Sequence, residues 1–349
     1  MGEVLGDPVQ AQSAGLDGGP ECVGEALGPV GHPDIQPEAT TARKDGAAGE
    51  QESVRASGVT SLRDVSGTVI VTDSTASLPA ELAQERGIRV VPLQVVIGAR
   101  VLDEGPEGAT PDVVAEALRD FVPVSTSRPA PALFAELYRS LAAEGAEEVV
   151  SVHLSGEMSG TFESAQLAAL EVDVPVHVVD SGQVGIATGY AALTAADALD
   201  AGGTAEEAAR AALARGRAAT SLFYVDTLEY LRRGGRIGAA AAIFGSALSV
   251  KPLLEIAEGR VAPRERVRTA SRALARLAEL AVEAAGDQSV DVCVSHLANS
   301  GRAEELTAVL TDRLADGLEG REVMCGELGA VLGAHVGPGM VAVCVAPRP

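Results

Sequence analysis

From residue 68 onward the chain alternates short β-branched runs with amphipathic stretches of helical period, and this alternation limits the folds open to it. The β-branched runs predict strands at 68–72, 88–97, 148–153 and 174–179. The amphipathic stretches predict helices at 80–86, 132–143, 160–170, 187–201 and 204–215. Strands that alternate with helices of about 10 to 15 residues are typical of a mostly parallel, doubly wound sheet. We therefore predict an α/β domain over residues 67–215.

The pattern changes after residue 219. Short apolar segments predict strands at 221–225, 250–255, 291–296, 322–327 and 340–345, and longer Ala- and Leu-rich stretches predict helices at 271–285 and 302–314. A Gly259-Arg260 turn joins two strand runs, which favours antiparallel pairing. We predict a second domain of mixed, antiparallel α+β structure over residues 216–349, with a ligand in the cleft between the two domains.

Residues 1–66 differ in composition from the rest of the chain. They contain no Phe, Tyr or Trp and are rich in Gly, Ala, Glu and Asp. They show no sustained helical or strand period, so we predict a disordered acidic extension. The N-terminus also lacks the basic start and apolar centre of a signal peptide, and we expect a cytoplasmic protein.

The charge and the cysteine content argue against several classes of function. Over 349 residues, 27 Lys and Arg stand against 49 Asp and Glu, and this net charge of −22 disfavours binding to nucleic acid or to an anionic membrane surface. The longest near-apolar stretch, 238–250, is shorter than the about 20 residues that span a bilayer, so we expect no integral membrane association. The four cysteines form no CxxC pair and the five histidines are never three or four residues apart, so we expect no metal and no cofactor. Cys293 and Cys344 lie in apolar runs and are predicted to be buried.

Hydroxyl side chains cluster where the predicted strands end. Three of the segments follow predicted strands: Asp73-Ser74-Thr75, residues 155–161, and Asp180-Ser181-Gly182. The fourth, Ser125-Thr126-Ser127-Arg128-Pro129, is predicted to be the loop before the second helix. In open α/β sheets these strand ends meet at one edge, where helix N-termini point unpaired N–H groups at an anion. Each segment could cap its own helix, because Ser, Thr and Asp are preferred N-cap residues. Several such segments at one edge favour a site for a small anion such as a carboxylate, and the backbone at Ser159-Gly160 could approach it closely.

Five segments of the chain carry a family resemblance. They are 69–75 (VIVTDST), 126–129 (TSRP), 158–165 (MSGTFESA), 225–237 (VDTLEYLRRGGRI) and 335–339 (HVGPG). In this order, over about residues 67 to 347, they resemble the DegV family, the fatty-acid-binding proteins also called FakB. The GGRI and HxGPG segments together are hard to obtain by chance.

The resemblance implies a two-domain α/β protein that encloses one long-chain fatty acid. The positions that match the head-group residues of the family are Thr126 and Ser159, with His335 from the second domain. With their neighbours, the expected ligand-binding set for the carboxylate is Thr126, Ser127, Ser159, Gly160, Thr161 and His335. Candidates to line the acyl tunnel are Phe134, Phe162, Phe223 and Phe244, although ordinary core packing is the commoner role of such residues.

The resemblance also implies a protein partner. In several members of the family a fatty acid kinase phosphorylates the bound carboxylate to an acyl phosphate, which places them in phospholipid metabolism. Arg236 and Arg268 match family arginines associated with docking of this kinase. This chain is then expected to be a lipid carrier and not itself a catalyst. Without the resemblance, the basic run 232–236 is explained equally well as a solvated turn.

Some positions near the expected head-group site depart from the family pattern. Arg128 stands where the family usually has Gln, and Ala130 also differs from the usual residue, so the charge at the cleft mouth is expected to depart from that of the family. His153 and Gly156 lie where a strand end commonly carries Ser. Only part of the hydroxyl cluster is retained.

A serine hydrolase that acts on an acyl ester is the alternative from another class of function. Residues 156–160 resemble a nucleophile elbow whose spacing is broken by one residue. Such an enzyme needs a histidine and an acid close to Ser159. His335, with either Asp73 or Asp180, is the candidate for these roles.

Overall fold

The structure is a computed structural model that describes residues 67–243 and 251–349. The predictions for residues 1–66 and for Phe244 therefore lie outside the described residues. The described strands are β1 Gly67–Asp73, β2 Arg89–Val91, β3 Gln94–Ile97, β4 Arg100–Asp103, β5 Val124–Ser127, β6 Ala146–His153, β7 Val176–Asp180, β8 Thr220–Tyr224, β9 Lys251–Ala257, β10 Arg260–Val267, β11 Val290–His296, β12 Met324–Glu327 and β13 Val341–Pro347. The helices are α1 Ala80–Glu85, α2 Pro111–Arg119, α3 Pro131–Ala143, α4 Thr161–Ala169, α5 Ile186–Asp200, α6 Ala205–Ala218, α7 Glu229–Arg233, α8 Ala270–Ala285, α9 Ser300–Arg313, α10 Ala315–Leu318 and α11 Ala330–Val336.

The N-terminal half forms a parallel four-stranded sheet in the order β2-β1-β6-β7. Side chains alternate between its faces, because successive residues of a strand point to opposite sides. Val71 packs with α3 and α4 on one face, and Ile70 packs with the alanine-rich surfaces of α5 and α6 on the other. A parallel sheet covered by helices on both faces confirms the predicted α/β architecture.

The C-terminal half forms a mixed six-stranded sheet in the order β10-β9-β8-β13-β11-β12. Every neighbouring pair is antiparallel except β11 and β12. The predicted antiparallel pair of strands is present as β9 and β10, but the turn lies one residue earlier than expected, at Glu258 and Gly259, because Arg260 already pairs with Ala257. Both turn residues have positive φ, as in a type I′ hairpin turn. Helices α8 and α9 cover one face of this sheet with leucine and alanine side chains, and the opposite face lines the cavities described below.

A third sheet, antiparallel in the order β4-β3-β5, was not predicted. The predicted strand at 88–97 is wrong as a single element. It is divided at Pro92, so that β2 joins the parallel sheet and β3 joins the small sheet. Proline has no backbone N–H to donate to a ladder, and the chain changes sheets there. The segment around Thr126, expected to be a loop, is strand β5.

Cys293 and Cys344 are both buried, as predicted, each with a relative exposure of 5%. They are neighbours across β11 and β13, on the cavity-facing side of the mixed sheet. Burial raises the pKa of the Cys293 thiol to about 12, so this thiol stays protonated at neutral pH. In the described ranges, no helix combines the length and the apolar character needed to cross a bilayer.

Candidate functional site

A cavity of about 370 Å³ lies between strand β5, the β6–α4 loop, the open face of the mixed sheet and helix α11. Most of its wall is apolar, and the large side chains on that wall include Leu93, Leu154, Ile186, Phe223, Leu231, Ile256, Val331 and Met340. Polar groups reach the same cavity from β5, from the residues before α4 and from the last turn of α11. An apolar enclosure with a few convergent polar groups is the usual form of a binding site for an amphipathic ligand.

Thr126 and His335, which are 209 residues apart in the sequence, are brought together in the structure. Alternation along β5 turns Thr126 inward, while Ser125 and Ser127 are exposed. A hydrogen bond of 2.9 Å joins Thr126 Oγ1 to His335 Nε2. Both residues line the cavity, and Ser127 reaches its rim.

His335 is held as a neutral side chain in the last turn of α11. Burial, and then the positive charge of Arg236, lower the pKa of His335 to about 4. Its Nδ1 is buried and has no hydrogen-bond partner among the described residues. Gly234 packs directly against the ring, because an added Cβ there would lie 2.2 Å from Nδ1. The ring position therefore depends on the absence of a side chain at residue 234.

Ser159 lies two residues before the start of helix α4 and lines the cavity with Gly160. Its Oγ lies 2.9 Å from Thr161 Oγ1 and accepts a hydrogen bond of 3.3 Å from the Thr161 N–H. Thr161 is fully buried and does not line the cavity. Of the expected ligand-binding set, Thr161 therefore lies behind Ser159 and orients it, while the other members reach the cavity wall.

Arg128, the departure from the family pattern, lies over the backbone before α4. Its guanidinium donates to Glu163 at 3.0 Å and to the Gly160 carbonyl at 3.4 Å. An added Cβ at Gly160 would lie 2.1 Å from Arg128 Nη1, so the exposed guanidinium would have to move away from the Gly160 backbone. Arg128 also lines the cavity, and its charge at the rim is shared with the Glu163 carboxylate.

The two arginines expected to dock a partner occupy different environments. Arg236 is half-buried on the cavity wall, and it donates to the Met158 carbonyl at 3.0 Å and to the Gly234 carbonyl at 2.7 Å. Arg268 is exposed in the turn between β10 and α8, and it has no hydrogen-bond or ion-pair partner in the described part of the chain. Arg236 thus ties the turn after α7 to the segment that carries Ser159, and its role in docking stays a prediction.

Helix α11, which carries His335, is held at its start by a residue that the sequence did not single out. Glu104, just after β4, accepts a hydrogen bond of 2.8 Å from the Val331 N–H through Oε1. An added Cβ at Gly329 would lie 2.5 Å from that oxygen. Burial is the main cause that raises the pKa of Glu104 above its usual value, and its Oε2 is buried with no partner among the described residues. In the sequence, the one signal for this contact is Gly329, the residue just before the helix.

The other polar segments have local structural roles. Asp73 accepts hydrogen bonds from the N–H groups of Thr75 and Leu154 and contacts His153 Nδ1 at 2.8 Å. Asp180 accepts from the N–H groups of Gly156 and Gly182. The expected convergence of four segments is therefore reduced to two on this cavity.

The arrangement that a serine hydrolase would need is not assembled around Ser159 in residues 67–243 and 251–349. The hydroxyl of Ser159 is engaged with Thr161, and His335 contacts Thr126 instead. Neither Asp73 nor Asp180 is hydrogen-bonded to His335 there.

Of the phenylalanines expected to line the acyl tunnel, one lines the cavity and others do not. Phe223, on β8, lines the cavity. Phe134 is fully buried in the core between α3 and the parallel sheet, and its ring meets the ring of His153 edge-on with the centroids 5.0 Å apart. Phe162 does not line the cavity, and Phe244 lies outside the described residues.

Comparison with known families and sequences gives a consistent result. A model of the DegV family, described as uncharacterised protein, matches residues 68–348. A DegV domain-containing protein of Streptomyces coelicolor is 54% identical over 280 residues, which cover 80% of this chain and 98% of the relative. A DegV domain-containing protein of Mycobacterium bovis is 36% identical over 278 residues, which cover 79% of this chain and 96% of the relative.

Solved structures with the same fold include two proteins described as fatty-acid-binding. One is a DegV family protein from Thermus thermophilus, with 34% identity, a TM-score of 0.73, and coverage of 80% of this chain and 99% of that one. The other is DegV from Bacillus subtilis, with 31% identity, a TM-score of 0.73, and the same coverage of 80% and 99%.

Proposed function

The chain belongs to the DegV family, and from this premise we propose that it binds one long-chain fatty acid and presents the carboxylate to a fatty acid kinase. The observation that carries the proposal is the cavity itself. Its walls are mainly apolar, and the hydroxyls of Thr126 and Ser159 reach it beside the neutral imidazole of His335. Relatives of the same fold from Thermus thermophilus and Bacillus subtilis are described as fatty-acid-binding.

The energetics of binding fit an acyl chain. Burial of a methylene group contributes about 0.8 kcal/mol, so a chain of about 16 carbons gains on the order of 11 kcal/mol before the entropy of binding is subtracted. The polar groups then have only to orient the ligand. Hydrogen bonds from hydroxyl groups to an ionised carboxylate contribute about 1.5–3 kcal/mol each, which suffices to hold the head group at one end.

The head-group end is also where a protein partner could reach the ligand. Ser159, Gly160 and Arg236 line both the apolar cavity and a surface groove of about 390 Å³ outside it. A carboxylate bound at Ser159 would therefore lie at the boundary between the interior and the surface. This position supports a reaction in which an added kinase phosphorylates the bound carboxylate while the acyl chain stays enclosed.

Mass spectrometry of the purified protein tests the lipid proposal directly. We expect native spectra to show the added mass of one fatty acid per protein chain, and we expect organic extraction to release a free fatty acid. An empty protein that hydrolyses a short acyl ester, and loses this activity in Ser159→Ala, would overturn the proposal in favour of a hydrolase.

Substitutions at the head-group end test which side chains bind the carboxylate. We expect Ser159→Ala and Thr126→Val each to weaken fatty acid binding by about 1–3 kcal/mol, because each removes one hydrogen bond to a charged group. Ser125→Ala is the matched control, since Ser125 lies on the same strand and is exposed. Unchanged affinity in both test variants would contradict the head-group assignment.

The kinase proposal needs a separate measurement, namely acyl phosphate formation by an added fatty acid kinase with ATP. We expect Arg236→Ala and Arg268→Ala to keep the lipid bound and to reduce acyl phosphate formation. Arg313→Ala, an exposed arginine at the end of α9, is the control. Loss of lipid from Arg236→Ala would assign that residue to the binding pocket instead.

A further inference from the structure

A second cavity, of about 560 Å³, lies on the other side of strand β11 from the first. Its walls come from the turn after β1, from the segment between β4 and α2, from strands β11 and β12, and from the start of α11. The two cavities share one lining residue, Ser295 on β11. Ser295 is buried, and both cavities reach it.

The mixed sheet forms a continuous floor under both cavities. Ala342 on β13 pairs with Ser295, and Ser295 pairs with Gly326 on β12, which makes one row across three strands. Ala342 lines the first cavity and Gly326 lines the second. The side chains along this row are small, and a Cβ added at Gly326 would meet no heavy atom within 4 Å.

A second row of paired residues crosses the same three strands, two residues away from the first row on each strand. Cys344 on β13 pairs with Cys293, which pairs with Met324 on β12. Cys344 lines the first cavity, while Cys293 and Met324 line the second. Neighbouring strands lie about 4.8 Å apart, so the floor extends the apolar path by about 10 Å from β13 to β12.

Charge distinguishes the two ends of this path. Arg128 and Arg236 line the first cavity, beside the hydroxyls that are proposed to bind the carboxylate. None of the described residues that line the second cavity is a lysine or an arginine, and the acidic residues Glu104 and Glu327 line it. A fatty acid carboxylate would have no cationic side chain beside it there, so the head group is expected at the first cavity and the chain runs from the first cavity to the second.

We propose that the two cavities form one acyl channel and that a long acyl chain crosses β11 at Ser295, with its terminal methyl end in the second cavity. The inference rests on the proposed fatty acid binding and adds that the space above Ser295 and Gly326 sets the upper length of the chain. In this arrangement a short acyl chain ends in the first cavity, whereas a long acyl chain extends through both cavities.

The test uses the full chain, freed of lipid, and compares the affinity for laurate, a short saturated fatty acid, with that for stearate, a long one. Gly326→Leu fills the second cavity from an open position on its floor. We expect this variant to bind stearate at least fivefold more weakly than the unsubstituted protein and laurate within twofold of it. Gly301→Leu, at an equally open position on α9, is the matched control and should change neither affinity.

The outcomes separate this inference from the proposed function. If the unsubstituted protein binds neither fatty acid, the proposed function fails and the channel fails with it. If it binds both, and Gly326→Leu changes the two affinities equally or not at all, the channel is overturned while fatty acid binding stands. Ser295→Val, which narrows the junction itself, should reproduce the selective loss of stearate, and its melting temperature reports whether the fold is intact.

Discussion

Thr126 Oγ1 and His335 Nε2 lie 2.9 Å apart, although 209 residues separate them in the sequence. One residue comes from a short antiparallel sheet and the other from the last turn of a seven-residue helix. The candidate head-group site therefore exists only where the small sheet and helix α11 pack together. Its geometry depends on residues that do not line the first cavity, among them Gly234 and Glu104, and substitutions at these residues test it.

Gly234→Ala should displace His335 without removing any polar group. The added Cβ would lie 2.2 Å from Nδ1, so the ring must move, whereas the backbone φ of −73° at Gly234 tolerates alanine. We expect the affinity for a fatty acid to fall by about 1–3 kcal/mol, the range for a lost hydrogen bond to a charged group. The affinity for the matching fatty alcohol, which has no carboxylate, should change less. Equal losses for acid and alcohol would mean that the apolar wall, not the head-group site, had been disturbed.

The burial of His335 predicts a particular dependence of stability on pH. Its pKa is about 4 in the folded protein against a usual value of 6.5, so the unfolded chain binds the proton more readily in this window. The stabilising contribution of neutral His335 is present above about pH 6.5 and is lost as the pH falls towards 4, at up to about 1.4 kcal/mol per pH unit. His335→Gln should flatten this slope in urea unfolding experiments over that range. Identical slopes in the two proteins would contradict the prediction.

The buried contact between Asp73 and His153 predicts a large loss of stability in His153→Leu. Nδ1 of His153 lies 2.8 Å from Asp73 Oδ2 and Nε2 lies 2.8 Å from Ser151 Oγ, and all three residues are fully buried. Without the imidazole, a buried carboxylate loses its partner, so we expect the free energy of unfolding to fall by about 3–5 kcal/mol.

His177→Leu is the control for this substitution. His177 lies 3.3 Å from Glu148 with both side chains partly exposed, and we expect a change below about 1 kcal/mol. Denaturant unfolding of both variants at neutral pH checks the comparison. Similar losses in the two variants would contradict a special role for the buried network.

Two substitutions at Glu104 should have opposite effects on the stability of the fold. Glu104→Gln keeps an oxygen that can accept from the Val331 N–H and removes a buried carboxyl group whose pKa is raised above the usual 4.5. A raised pKa gives stability that is lost as the pH rises through the folded value, so the glutamine variant should gain over the unsubstituted protein as the pH increases.

Glu104→Ala removes the hydrogen bond to α11 and should cost about 0.5–2 kcal/mol, as the loss of a helix cap does. Denaturant unfolding of both variants at several pH values measures these effects. If both variants lose the same stability at every pH, Glu104 acts only through packing and the capping role is wrong.

Local sequence patterns accounted for much of the architecture, and the failures have identifiable causes. The short, continuous β-branched runs in β1 and β6 predicted buried parallel strands, because a strand covered by helices on both faces is apolar on both sides. The run at 88–97 was misassigned because β-branched residues continue on both sides of Pro92, and only the pairing partners show that two sheets are involved. Strand β5 was missed because its four residues are polar or half exposed.

The sequence by itself determined the family and the two kinds of sheet, and it named Thr126 and Ser159 as candidates, since strand periodicity and short motifs are properties of neighbouring residues. The tertiary structure alone decided which polar segments share a cavity and which only cap their own turns. It also decided that Gly234 positions His335, that Glu104 holds α11, and that Ser295 separates two cavities. Each of these depends on distances between residues far apart in the chain, and such distances follow from the packing of whole elements and not from local pattern.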